Sequence, residues 1–251
     1  MTHSQLRPTP AELSQAWPAW PLPLLSGLMP FLATLFAYTL SVRLGLIEAC
    51  NPFVDGCVSI SRAARHDLPN HVFRALVLPA AAVQALCWLL CGASLRTLGA
   101  PPTRWLRALP WIGLLASLFL VLYATFLGTE GAAYRWMRRY GVVGYFGGTC
   151  LAMLIASGAA RGLPVRPPHA ARAMLAMAVA LPLLGLVNAF APLLHDDRKI
   201  EAALQNITEW WGGLAFTLFF FAMAWLWRAA RFEVRFATAD GVNIEARARP
   251  P

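Results

Sequence analysis

The stretch Ala108–Thr129, ALPWIGLLASLFLVLYATFLGT, carries no charged side chain. At 1.5 Å rise per residue, a helix of roughly 20 such residues crosses a hydrocarbon core about 30 Å thick. Five more runs of the same kind lie at Pro21–Val42, Ala75–Leu95, Tyr140–Ala160, Ala173–Leu194 and Trp210–Trp227. A soluble core helix is usually shorter and amphipathic. The fold class read from this pattern is all-α, a polytopic membrane bundle of six transmembrane helices.

Composition points the same way. Hydrophobic residues make up 58% of the chain, charged residues 13%, and the mean hydropathy is +0.54. A soluble domain carries about 25% charged residues. No segment outside the runs is long enough to build a second core. The expected layout is an N-terminal tail over 1–20, a transmembrane domain over 21–230 with a long first outer loop at 48–72, and a C-terminal tail over 231–251. No internal repeat shows at a fixed period.

The net charge of +9 does not indicate nucleic acid, because the basic residues are scattered among the loops and form no patch. Their distribution bears on orientation instead. With the amino terminus inside, the inner segments hold 12 basic and 4 acidic residues, and the outer segments hold 9 and 8. Positive charge collects on the cytoplasmic side of membrane proteins, so both termini are expected there. The run at Pro21–Val42 is too long for a signal-peptide core and is expected to remain as the first span. Heavy use of Ala, Arg, Gly and Pro with a single lysine, Lys199, suggests a GC-rich bacterial source. The implied localisation is the inner membrane, multi-pass.

The polar residues gather in the outer loops. The first reads EACNPFVDGCVSISRAARHDLPNHVFR from Glu48 to Arg74. An oxidising compartment permits a disulfide between Cys50 and Cys57; two free thiols are the alternative. Ser59, Ser61, His66 and His71 are the candidate catalytic residues, since a serine beside a base is the usual nucleophile pairing. No G-x-S-x-G elbow surrounds either serine. His66 and His71 with His195, Asp196 and Asp197 form a second, metal-binding reading, without a recognised spacing. No glycine-rich phosphate loop, CxxC pair or haem signature is present, so no cofactor is expected.

Glu48, Glu130 and Glu209 fall at the outer ends of the first, third and sixth spans. Carboxylates at the edge of hydrocarbon are costly unless paired or wet. Arg43, Arg62, Arg74, Arg135 and Arg139 are the expected partners. Arg135, Arg138 and Arg139 share one helical face at i, i+3, i+4, a spacing that suits lipid phosphate or ordinary interfacial anchoring beside Tyr134, Trp136 and Tyr140. Asn188 and Gln84 are the most polar residues deep in spans, read either as glue between helices or as substrate contacts. Thr208 is read as the cap that starts the last helix, with Glu209 at its positive end. Pro30, Pro79, Pro110 and Pro182 lie inside spans and are expected to kink them.

The segment NPFVDGCVSISRAARHDLPNHVFR resembles the loop after the first span in the FRAG/DRAM/SFK family of eukaryotic six-span proteins. The resemblance rests on Asn51-Pro52, Ser59, Ser61, Pro69 and Phe73-Arg74, with Glu130 and Glu209-Trp210 later in the chain. It implies six spans, inside termini and lipid handling at the outer leaflet. The ligand-binding residues expected from residues and resemblance together are Arg74, Glu130, Arg135, Arg139, Asn188 and Glu209, with a membrane lipid as partner. A membrane-embedded acyl hydrolase or transferase, and a small-solute transporter, are the competing functions.

Overall fold

The computed structural model describes residues 16–163, 168–194, 197–239 and 241–248, with the backbone alone at 192, 194, 236–239 and 241–248. Six long helices carry the apolar runs: α1 (Pro21–Arg43), α3 (Asp67–Thr97), α4 (Arg104–Phe126), α5 (Ala132–Ala160), α6 (Pro168–Leu194) and α7 (Arg198–Ala229). All six are long and apolar enough to span a membrane. The protein is therefore a multi-pass, all-α membrane bundle. A single-turn helix, α2 (Ile60–Ala63), sits in the loop after α1.

The helices close into a ring. α1 packs on α3, α3 on α4, α4 on α5, α5 on α6, α6 on α7, and α7 returns to α1. Small residues allow the close approaches, as expected where lipid supplies no hydrophobic drive between helices. A Cβ on Gly141 would lie 2.7 Å from the Tyr123 backbone nitrogen, and one on Gly27 would lie 2.9 Å from the Thr217 carbonyl oxygen. Trp88 fills the interior against Phe219 and Phe220, and Gly113 leaves it room. The opposite helix faces expose Trp111, Leu115, Val143 and Leu183, the apolar belt that lipid would cover.

Five of the six long helices begin earlier than their apolar runs, and three do so by eight residues or more. α3 starts at Asp67, α5 at Ala132 and α7 at Arg198. The helical backbone continues past the hydrocarbon-length segment, where polar side chains are tolerated. α7 is capped by Asp197, whose carboxylate accepts from Lys199 N at 2.8 Å. The reading of Thr208 as the cap is thus corrected. Thr208 lies inside the helix, where hydroxyls bond back to carbonyls of the preceding turn.

The terminal segments also differ from simple tails. β1 (Ala16–Pro18), β2 (Phe232–Ala239) and β3 (Gly241–Ala248) form an antiparallel sheet in the order β1-β2-β3. Ala16 pairs with Arg235 and Pro18 with Glu233. Phe232 is buried against Trp227, and the Arg228 guanidinium lies over the Trp20 ring. Because β1 precedes the first span and β2 follows the last, the sheet holds both ends of the bundle at one face. The loop between α1 and α3 lies at the other.

Candidate functional site

The loop from Glu48 to His66 folds as a lid over the end of the bundle away from the sheet. Cys50 and Cys57 are disulfide-bonded. Asn51 opens a turn, its Oδ1 accepting from Phe53 N at 3.1 Å, while Asn51 N donates to Asp55 Oδ2 at 2.8 Å. Gly56 then takes a left-handed backbone, φ +61°, and presses on the backbone of Ala203 in α7.

α7 fastens this lid along its length. Asn206 Nδ2 donates to the Gly56 carbonyl at 2.7 Å, Trp210 Nε1 to the Val58 carbonyl at 2.9 Å, and Trp211 Nε1 to the Phe53 carbonyl at 3.1 Å. Tyr38 and Phe53 meet the Trp210 ring edge-on. Other helices complete the fastening. Ser41 Oγ donates to the Ala63 carbonyl at 2.6 Å, and Asn70 Nδ2 bridges the Ala64 and Leu127 carbonyls.

Ser59 is the N-cap of α2, accepting from Arg62 N at 3.1 Å. That bond gives it a local structural role. Ser61 faces the bundle instead. Its N–H and its hydroxyl both donate to Glu209 Oε1 at 3.4 Å, and the Tyr123 hydroxyl donates to Ser61 Oγ at 3.1 Å. A relay Tyr123–Ser61–Glu209 therefore crosses from α4 through the lid to α7.

The serine–histidine pairing expected from sequence does not form. His66 and His71 are both exposed, and His71 Nδ1 lies 2.8 Å from the Asp67 carbonyl on its own helix. Among the described residues no hydrogen bond joins either histidine to Ser59 or Ser61, and no group of three His, Cys, Asp or Glu side chains could hold a metal ion. His195 and Asp196 lie outside the described residues.

The expected carboxylate–arginine pairs are also absent among the described residues. Glu209 is half-buried and turned to Ser61, while Glu48 and Glu130 are exposed. Among the described residues Arg235 and Glu233 form an ion pair, in the sheet. Burial of Glu209 beneath the lid puts it out of reach of arginines that point outward.

Two arginines outside the expected partners of the glutamates bear on the relay, Arg138 of the i, i+3, i+4 face and Arg65, which the sequence did not single out. Arg65 and Arg138 both act electrostatically on Tyr123, as does Glu209. Arg65 and Arg135 both act on Arg138 as like charges. Arg138 is half-buried and donates to the Phe126 and Thr129 carbonyls. Its i+3 relation to Arg135 was legible; the approach of Arg65 depends on the lid. Arg135 and Arg139 flank Trp136 at an open surface depression, and Arg74 is half-buried on α3 without a hydrogen-bond or ion-pair partner among the described residues.

A groove of about 490 Å³ opens beside the relay between α5, α6 and α7. Ser61, Glu209, Asn188 and Thr208 form its polar end, and Val143, Phe146, Leu181 and Phe216 line its apolar length. Gly147, Gly185 and Gly212 line it without side chains, and a Cβ at Gly147 or Gly185 would meet nothing within 4 Å. Asn188 Oδ1 lies 2.8 Å from the Thr208 hydroxyl, whose single proton it shares with the Leu204 and Gln205 carbonyls. The volume lies in the range of small-molecule sites, about 300–1,000 Å³. Compared with known protein families, curated proteins and solved structures, the chain matches none.

Proposed function

We propose that this protein binds a membrane phospholipid in the groove between α5, α6 and α7, with its headgroup at the Tyr123–Ser61–Glu209 relay. The observation that carries the reading is the joining of a half-buried carboxylate to an apolar groove between spans. An acyl chain suits the apolar length. A carboxylate and two guanidiniums around one tyrosine suit a zwitterionic headgroup: Glu209 would face an ammonium, and Arg65 and Arg138 a phosphate. These arginines, rather than Arg74 and Arg139, are the better phosphate contacts. With both termini cytoplasmic, as the charge distribution suggests, the headgroup would lie at the outer leaflet of a bacterial inner membrane. The loop's resemblance to the FRAG/DRAM/SFK family supports the same class of function.

The test is native mass spectrometry of the purified protein, followed by exchange into phosphatidylcholine nanodiscs doped with phosphatidylethanolamine. The wild type should retain phosphatidylethanolamine above its bulk share, and Glu209→Gln should abolish the enrichment. Retained lipid that mirrors the bulk membrane in both proteins would overturn the reading.

An acyl-transfer reading has one supporting observation, the Ser61 hydroxyl held against the Glu209 carboxylate. There Ser61 Oγ would attack a lipid ester carbonyl and pass its proton to Glu209, which would return it to the departing lysolipid oxygen as the ester C–O bond breaks, leaving the acyl group on Ser61 for water or a second alcohol to take. Ser61→Ala would then stop lipid turnover while leaving lipid bound. Turnover unaffected by Ser61→Ala would remove it.

A further inference from the structure

The ring of helices is not filled to its axis. Beneath Glu209 a more enclosed cavity of about 70 Å³ runs between α1, α3, α4, α5 and α7. Its walls are mostly apolar, including Phe31, Phe73, Leu120 and Phe220.

Among the polar residues that also line it, Gln84 near the middle of α3 and Tyr145 on α5 are the pair left incompletely bonded. Gln84, 1% exposed, donates from Nε2 to the Ser26 carbonyl at 2.9 Å and to the Tyr145 hydroxyl at 3.3 Å. Those two bonds fix the amide, since reversing it would set Oε1 against the Ser26 carbonyl. Oε1 is then left buried without a partner. Tyr145, 7% exposed, accepts from Gln84, and its own proton has no acceptor among the described residues. Two residues that line the chamber thus hold one acceptor and one donor without partners among the described residues. Buried polar groups are satisfied in more than nine cases of ten, so this pair asks for an occupant.

A hydroxyl satisfies both groups at once, donating to Gln84 Oε1 and accepting from Tyr145. An ammonium has no acceptor and a carboxylate no donor, and either brings into the span a charge that no residue lining the chamber at that depth would pair. The chamber also shares Val142, Phe146, Glu209 and Phe216 with the lateral groove. The Phe146 and Phe216 rings, 5.0 Å apart between centroids, form the wall common to both, so a chain passing from groove to chamber must part them.

We propose that the axial chamber binds the hydroxyl end of an uncharged lipid alcohol between Gln84 and Tyr145, while the tail occupies the lateral groove. The proposal rests on the lipid reading for the source of its ligand and deepens it by naming a second, uncharged ligand class.

The test uses the full chain in phosphatidylcholine nanodiscs and measures retention of radiolabelled hexadecanol and hexadecane above empty nanodiscs. The wild type should retain the alcohol about tenfold better than the alkane, the factor that one buried hydrogen bond commands. Tyr145→Phe and Gln84→Leu should each bring that ratio towards one, with alkane retention unchanged. Gln84→Leu also cuts the tie to Ser26; should it fail to fold, Tyr145→Phe alone decides.

Equal retention of alcohol and alkane by the wild type would overturn the proposal. So would a preference that survives the Tyr145 substitution, or retention of neither probe, which is the result for a chamber holding only water. Phosphatidylethanolamine enrichment and its dependence on Glu209 are read separately. Their survival alongside a lost alcohol preference sinks the chamber alone; the reverse pattern sinks the headgroup site alone.

Discussion

The Tyr123 hydroxyl of α4 donates to Ser61 Oγ in the lid at 3.1 Å, and that serine turns its own proton to Glu209. A hydroxyl so placed orients the serine and adds little to the packing of the ring. Tyr123→Phe should therefore leave the fold intact and lower phosphatidylethanolamine enrichment about fivefold, the effect of roughly 1 kcal/mol. Native mass spectrometry of the variant checks this; enrichment equal to the wild type would show the relay to be idle.

Gly56 holds a left-handed backbone directly against Ala203. An added Cβ meets both the conformational penalty, about 1–2 kcal/mol, and the backbone of α7. Gly56→Ala should release the lid. Limited trypsin digestion should then cut after Arg62 and Arg65 in the variant much faster than in the wild type.

Trp210 is 2% exposed and donates to the buried Val58 carbonyl. Trp210→Phe keeps an aromatic ring but strands that carbonyl, a loss of about 1–3 kcal/mol. A lower Tm in detergent is expected, with helix content by circular dichroism unchanged at low temperature. An unchanged Tm would mean that water reaches Val58.

The disulfide closes the lid at its outer edge. Removing such a bridge typically costs about 2–4 kcal/mol, and structural bridges persist on the oxidising side of a membrane. Cys50 and Cys57 should resist alkylation in native membranes until a reductant is added, and Cys57→Ser should lower the Tm. Alkylation of Cys50 without reductant would place the lid in a reducing compartment.

The sheet fixes both chain ends to one face, because Trp17 pairs with Val234 across the whole intervening bundle. Tags at the two termini should therefore report the same compartment in permeabilised and intact cells. Tags on opposite sides would contradict the strand pairing.

Part of the site was visible in the sequence and part was not. Glu209 stood out as a carboxylate at the edge of a span, and Ser61 as a polar residue of the longest loop. Their contact was not visible, since 148 residues separate them and no local rule links the two. Arginines were expected to answer the glutamates, because opposite charges attract; the lid covers Glu209 first and offers it a serine. The C-terminal strands left a fainter sign. Residues 232–236, FEVRF, alternate apolar with charged side chains, and Asp240-Gly241 is a hairpin dipeptide.

The sequence by itself determined that six helices cross a bilayer, because in hydrocarbon a backbone must bond within its own segment and apolar side chains alone are tolerated there. That requirement is local, so it is written in each run separately. Tertiary packing decided which polar groups share a space: the clamp of α7 on the lid, the ring that leaves an axial chamber, and the open pair at Gln84 and Tyr145. Those depend on helix order and rotation, which small residues such as Gly27 and Gly141 set through close contacts between distant segments.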